Sequence, residues 1–207
     1  MIQNPFQRSI RGALALTTLF LLAMAGVGLA YPTPAGVPYR WQFEFEAGDF
    51  RLYVDDESGD AYWWMPYKVT NRTDQDRIWA PKFTLFTDAG EILESGKDVP
   101  SRITEKIRAM LKNPLIETQN EIIGDLLTGR ENAREGLAIW PARILQTNEI
   151  SMFISGISGE TTRVTNPISG DQVILYKTLQ RDYLIPGDAL ARGSDPIELV
   201  RETWILR

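Results

Sequence analysis

Apolar and polar residues alternate with a period of two through most of the chain beyond residue 40, the pattern of half-buried β-strands. In "RWQFEFE" (40–46), Trp41, Phe43 and Phe45 alternate with Arg40, Gln42 and Glu44. "FRLYV" (50–54) follows a turn at Gly48, and "DDESGD" (55–60) reads as a hairpin loop. The next stretch, "YWWMPYKVTN" (62–71), is bulky on both sides. Trp63, Met65, Tyr67 and Val69 form its apolar face, while Tyr62, Trp64, Pro66, Lys68 and Thr70 form the other. Trp63 and Trp64 are neighbours in a strand and must point in opposite directions. "IWAPKFTLFT" (78–87) reads as one further strand, with Phe83 and Leu85 set against Lys82 and Thr84 and a turn at 88–90. Later strands are expected at 136–145, 149–157, 172–185 and 196–206, separated by Gly and Pro.

In the middle of the chain the period changes. Ile103, Ile107, Met110 and Leu111 fall at i, i+4, i+7 and i+8, one face of an amphipathic helix. Ser101, after Pro100, is the expected N-cap and Pro114 the expected stop. A second short helix is expected over Gln119–Leu127. The pattern predicts a mainly β fold: an antiparallel β-sandwich of roughly eight short strands with a helical insertion at about 101–127.

The first thirty residues differ from the rest. Arg8 and Arg11 precede an apolar run from Gly12 to Ala30 that contains no acid. Basic, apolar, then small residues is the order of an export signal, with Gly28 and Ala30 fitting the cleavage rule and Tyr31 the new first residue. The same run is long enough to be retained as a membrane anchor, with Arg8 and Arg11 on the cytoplasmic side. Either reading, signal peptide or anchor helix, places the rest of the chain outside the cytoplasm. It would be periplasmic or extracellular, and held to the inner membrane through residues 12–30 if they are not cleaved. Residues 31–39 carry Pro32, Pro34 and Pro38 and read as an extended tether. The β-sandwich domain then spans 40–207.

Composition narrows the chemistry. The 207 residues carry a net charge of −5 with no cluster of Lys or Arg, so no nucleic-acid partner is expected. There is no Cys and no His. Thiolate zinc and iron–sulfur sites, disulfides, thiol nucleophiles and His general bases are therefore excluded. No cofactor is expected. Carboxylates remain. Asp55, Asp56, Glu57 and Asp60 crowd one loop, where oxygen ligands suit calcium, although the spacing is not that of an EF-hand. The other reading is a solvated hairpin tip, and calcium titration separates the two. Glu44 with Glu46, and Glu131 with Glu135, are the acid pairs nearest to a glycosidase arrangement. Neither has the apolar setting that raises a carboxyl pKa, so no enzymatic activity is expected. Tyr62, Trp64 and Trp79 are candidates for an exposed aromatic platform, suited to sugar stacking or a protein partner. Against this, Ile103, Ile107 and Leu111 need a surface to pack on, and the Tyr62/Trp64 face offers one. Asn71-Arg72-Thr73 fits the glycosylation pattern and equally a simple turn.

Two blocks carry a family resemblance. In "PYKVTNRTDQDRIWAPKFTLFTDAGEIL", Val69, Asn71 and Thr73 are followed by Phe83, Leu85, Asp88 and Gly90. In "LLTGRENAREGLAIWP", Leu127, Gly129, Glu131, Gly136 and Trp140 mark a turn and strand. Together they resemble bacterial extracytoplasmic immunoglobulin-like domains. Thr128 stands where those domains usually have Pro, and the helical insertion is not typical of them. The resemblance implies an Ig-like sandwich, similar to uncharacterised secreted envelope proteins, and no activity. The expected function is that of a non-catalytic exported binding or structural protein of the cell envelope, as an accessory subunit of a membrane complex. Its partners would be envelope or membrane proteins. The alternative is a glycan- or polymer-binding module using the aromatics.

Overall fold

A computed structural model describes residues 31–207. The expected signal or anchor helix lies outside the described residues. The stretch "YWWMPYKVTN" forms the spine of the molecule. Strand β3 (Ala61–Thr70) is ten residues long and carries bulk on both faces. On one edge it pairs with β9 (Arg134–Pro141) from Tyr62↔Pro141 to Val69↔Arg134. Its other edge is shared by two short strands, β1 (Glu44–Ala47) and β2 (Arg51–Val54). The gap between them lies opposite Pro66. Gly48 N–H donates to the Pro66 carbonyl at 2.8 Å, so the nitrogen of Pro66, which has no hydrogen to donate, faces this interrupted edge. Gly48 is required there, because a Cβ would come within 2.8 Å of the Pro66 ring.

The first sheet is completed by β7 (Glu117–Thr118), parallel to β9. The second contains β5 (Lys82–Thr87), β6 (Ile92–Glu94), β10 (Glu149–Ser155), β11 (Thr161–Thr165), β12 (Gln172–Leu184) and β13 (Glu198–Leu206). Its order is β11-β12-β10-β5-β6, with β13 also on β12. Residues 179–184 of β12 pair with both β10 and β13, so those two strands lie on opposite edges of it. The strands β4 (Arg77–Trp79) and β8 (Gly124–Leu126) form a separate ribbon.

Side chains from the two sheets meet in one core. Trp63, Met65, Tyr67, Val69, Ala138 and Trp140 come from the first, and Phe83, Leu85, Met152, Ile154, Leu179 and Tyr183 from the second. The rings interlock: Phe83 lies 4.6 Å from Tyr67 and 6.4 Å from Trp140, the latter edge-on. The architecture is mainly β in several sheets, consistent with a β-sandwich. Among the described residues there is one α-helix, α1 (Ser101–Leu111), and no helix long and apolar enough to cross a membrane.

Three expectations change. The strand expected over 78–87 is two strands in different sheets, broken at Ala80-Pro81. The second helix does not form: Gln119–Leu127 contains a turn and β8, which pairs with β4. Ile122 and Leu126, four apart, imitate a helical face, but both are buried in the main core. Strands β6 and β11, three and five residues long, escaped the reading because their side chains are largely exposed.

Gly136, on β9 opposite Tyr67, has no room for a side chain: a Cβ would sit 2.4 Å from the Tyr67 hydroxyl and 2.6 Å from Ile122. Gly136→Ala is expected to cost about 1–3 kcal/mol through overpacking. Urea unfolding should show a lower midpoint at unchanged slope.

Candidate functional site

The outer face of the first sheet is covered. Cross-strand pairing sets Trp64 against Ile139 and Pro66 against Leu137, and Tyr62, Trp64, Leu137 and Ile139 present one apolar surface. Helix α1 lies on it through Ile103 and Ile107, both fully buried, with Ile116 from the following loop. Each buried Ile contributes roughly 2 kcal/mol by leaving water, which a short helix needs, being marginal on its own. The helix follows Pro100 without a side-chain cap bond from Ser101, and it stops at a left-handed Lys112 (φ 51°), ahead of Pro114.

This placement corrects the aromatic platform. Tyr62 is 5% exposed and Trp64 7%, both beneath α1. Trp79 is buried in the other core, its ring 5.6 Å from Phe43 and edge-on to it. The three rings do not share a surface. Trp79 lies on β4, in the β4–β8 ribbon, and its ring turns into the core beside Phe43.

The acidic loop has a different use from a metal site. Asp55 is enclosed, and its two carboxylate oxygens meet Arg102 at 2.5 Å and Lys106 at 2.7 Å. Ser58 adds hydrogen bonds from its N–H (3.1 Å) and hydroxyl (2.8 Å). Lys106 also reaches Asp56 at 3.3 Å and Glu57 at 2.7 Å, while Asp60 stays exposed. Arg102 and Lys106 are one helical turn apart, so the β2–β3 hairpin grips one side of α1 with one carboxylate between two cations. The Lys106 and Arg102 bonds, helped by Ser58, hold the Asp55 carboxyl far below its ordinary range. Among the described residues no cluster of three or more Asp or Glu is arranged to hold a metal ion.

Two of the other acids and the turn motif are also engaged. Glu44 bonds to Arg72, which lowers its pKa, and Glu135 accepts from Asn113. Asn71 is fully buried and saturated. Its Nδ2 donates to Gln75 and Leu126 carbonyls at 2.8 and 2.9 Å, and its Oδ1 accepts from Thr73 N–H and hydroxyl at 2.9 and 2.7 Å. Gly129 N–H, from the second resemblance block, donates to the Asn71 carbonyl at 3.0 Å. The two blocks thus meet at one buried turn, and its amide, already twice a donor, is not presented to solvent.

The N-terminal tether is pinned. Glu160 and Lys177 form a buried ion pair at 3.0 Å, about 3% and 2% exposed. Ala35 closes it from outside: its N–H donates to Glu160 at 2.8 Å and its carbonyl accepts from Lys177 at 3.2 Å. Burial pushes the Glu160 carboxyl up, but the Ala35 N–H and Lys177 outweigh it and the net direction is down.

What remains open is the outer face of the second sheet. Phe86 stands opposite Ile92, and both are well exposed. Beside them a groove of about 550 Å³ runs over Phe153, Thr178 and Tyr176, with Arg207 stacked 4.0 Å from the Phe153 ring centre and the Lys82–Glu94 pair (2.6 Å) at its rim. This surface went unread in the sequence. The available signal was phase: Phe86 in "KFTLFT" points opposite to Phe83 and Leu85.

Replacing Asp55 by Asn removes the charge between Arg102 and Lys106. The folded-state pKa is depressed, so the unfolded chain binds the proton more tightly, and the stabilisation exists above the ordinary carboxylate value of 3.8 and fades as pH falls below it. Thermal melts should show Asp55→Asn well below the wild type at pH 7, the gap narrowing steadily as the pH is lowered beneath about 4. A gap independent of pH would contradict this assignment.

No family model, curated protein or solved structure matches the chain.

Proposed function

We propose that this chain is a non-catalytic binding or structural protein of the cell envelope, exported by its N-terminal segment and working as an accessory subunit of a membrane complex. One observation carries the reading. One outer face is sealed by α1, whereas the other keeps Phe86, Ile92 and Tyr176 in solvent around a shallow groove. Clusters of exposed apolar side chains mark interaction surfaces. The Arg8/Arg11 and Gly12–Ala30 order supports export.

The immunoglobulin-like reading is supported by strand order. With β1/β2 as A, β3 as B, β5 as C, β6 as C′, β9 as E, β10 as F and β12 as G, the sheets read A-B-E and C′-C-F-G. The chain departs from that pattern in three ways. Its β7 runs parallel to β9, α1 follows C′, and β13 extends the sheet beyond G.

Affinity purification from native membranes tests the reading, using the full chain and a chain lacking residues 1–30. The full chain should co-purify with envelope proteins, and charged substitutions at Phe86 and Ile92 should release them without lowering the melting temperature. Recovery as a lone soluble monomer, indifferent to those substitutions, would sink the proposal.

A further inference from the structure

We propose that β13 is a strand-addition edge and that its occupant is the β13 of a second copy of this chain, paired antiparallel about Thr203. This goes beyond the partner reading above and does not rest on it.

The argument begins with edges. An unpaired strand edge is a row of free backbone donors and acceptors, and proteins commonly shorten or break such edges. Here β6 has three residues, β7 has two, and the β1/β2 edge is interrupted at Gly48. By contrast β13 runs for nine residues. Among the described residues its only backbone partner strand is β12.

The direction of its free groups follows from one pair. Tyr176 and Arg207 exchange two backbone hydrogen bonds, 2.7 and 3.2 Å. Alternation along an antiparallel ladder then turns the backbone groups of Ile205, Thr203 and Arg201 toward β12, and those of Glu202, Trp204 and Leu206 outward. Three N–H and three C=O groups on alternate residues thus point away from the sheet. That spacing is recognised by an extended backbone and by little else.

Charge restricts the register. A two-fold axis normal to the sheet sets residues opposite each other symmetrically about one residue. Centred on Arg201 or Glu202, it places that charge against itself. Centred on Trp204, it sets Arg201 against Arg207. Centred on Thr203, it pairs Glu202 with Trp204, Arg201 with Ile205 and Leu199 with Arg207, with no like charges opposed. Glu202 and Trp204 both have outward backbone groups, so each of their two symmetry-related pairings closes two hydrogen bonds. Thr203 then faces its own copy in a non-hydrogen-bonded position, where Thr–Thr pairs are favourable.

The absence of cysteine makes a clean test. Thr203→Cys in the full chain, purified in mild detergent, should form a disulfide-linked dimer on gentle oxidation about tenfold or more faster than a Ser169→Cys control in an exposed turn, because close antiparallel pairs have disulfide-compatible separation. Light scattering should give a dimer mass for the unmodified chain. It should give a monomer mass for Glu202→Pro, which removes an outward N–H and leaves the β12 ladder intact. Thr203→Asp, which opposes two carboxylates at the axis, should also be monomeric, and it serves if the proline variant does not fold. A monomeric wild type, equal cross-linking by the two cysteine variants, or a dimer that survives Thr203→Asp would each overturn the proposal.

Discussion

Strand β3 carries bulky apolar side chains on both of its faces, and a strand of that kind cannot be left with one side in water. Trp63, Met65, Tyr67 and Val69 are absorbed by the second sheet, which supplies Phe83, Leu85 and Met152 to the shared core. Tyr62 and Trp64 need a separate cover, and α1 provides it with Ile103 and Ile107. The helical insertion is therefore a structural consequence of β3. Surface ion pairs usually contribute little. The pair of cations on Asp55 differs, because that carboxylate has no solvent contact and joins the hairpin leading into β3 to the helix that roofs it. One loop thus fixes the position of the roof along the sheet.

Much of this was legible in the sequence. The period of two in β3 separated its two faces correctly residue by residue, and the spacing of Ile103 and Ile107 identified both the helix and the face that it would cover. The calcium reading of Asp55, Asp56 and Asp60 did not anticipate the ion pairs that Asp55 makes, for a physical reason: the cations lie 47 and 51 residues away, and local composition is blind to them. Trp79 stands in phase with Phe83 and Leu85, so alternation over 78–87 already places it on the apolar side, and grouping it with Tyr62 and Trp64 by ring type ran against that signal. Gln119–Leu127 was misread because Ile122 and Leu126 satisfy a helical and an extended pattern equally, and only pairing with β4 decides. The open face around Phe153 depended on which strands lie side by side, a long-range fact that a single strand's pattern does not contain.

The resemblance blocks acquire a mechanism in the structure. Asn71 ends β3, Gly129 precedes β9, and the two meet through the Asn71 carbonyl and the Leu126 carbonyl that its side chain captures. A buried amide with all four hydrogen bonds made fixes the relative register of two distant segments, because a shift of either leaves a buried polar group unpaired. Motif residues of this kind specify where strands cross the end of the molecule.

Glu160 and Lys177 extend that logic to the entry of the chain. Burying two charges is costly, and a pair of this kind persists only when its remaining hydrogen-bonding capacity is met. Here the backbone of Ala35 supplies both an N–H and a carbonyl, so the pair is fully served only while residues around 35 lie against β12. The proline-rich stretch that reads as an extended tether is held at Ala35, and Tyr39 adds a second contact to the Thr161 carbonyl at 3.3 Å. Lys177 also lies 5.2 Å from the ring of Trp204 on β13. The docked segment, the buried pair and the exposed edge strand are therefore consecutive neighbours on one side of the molecule.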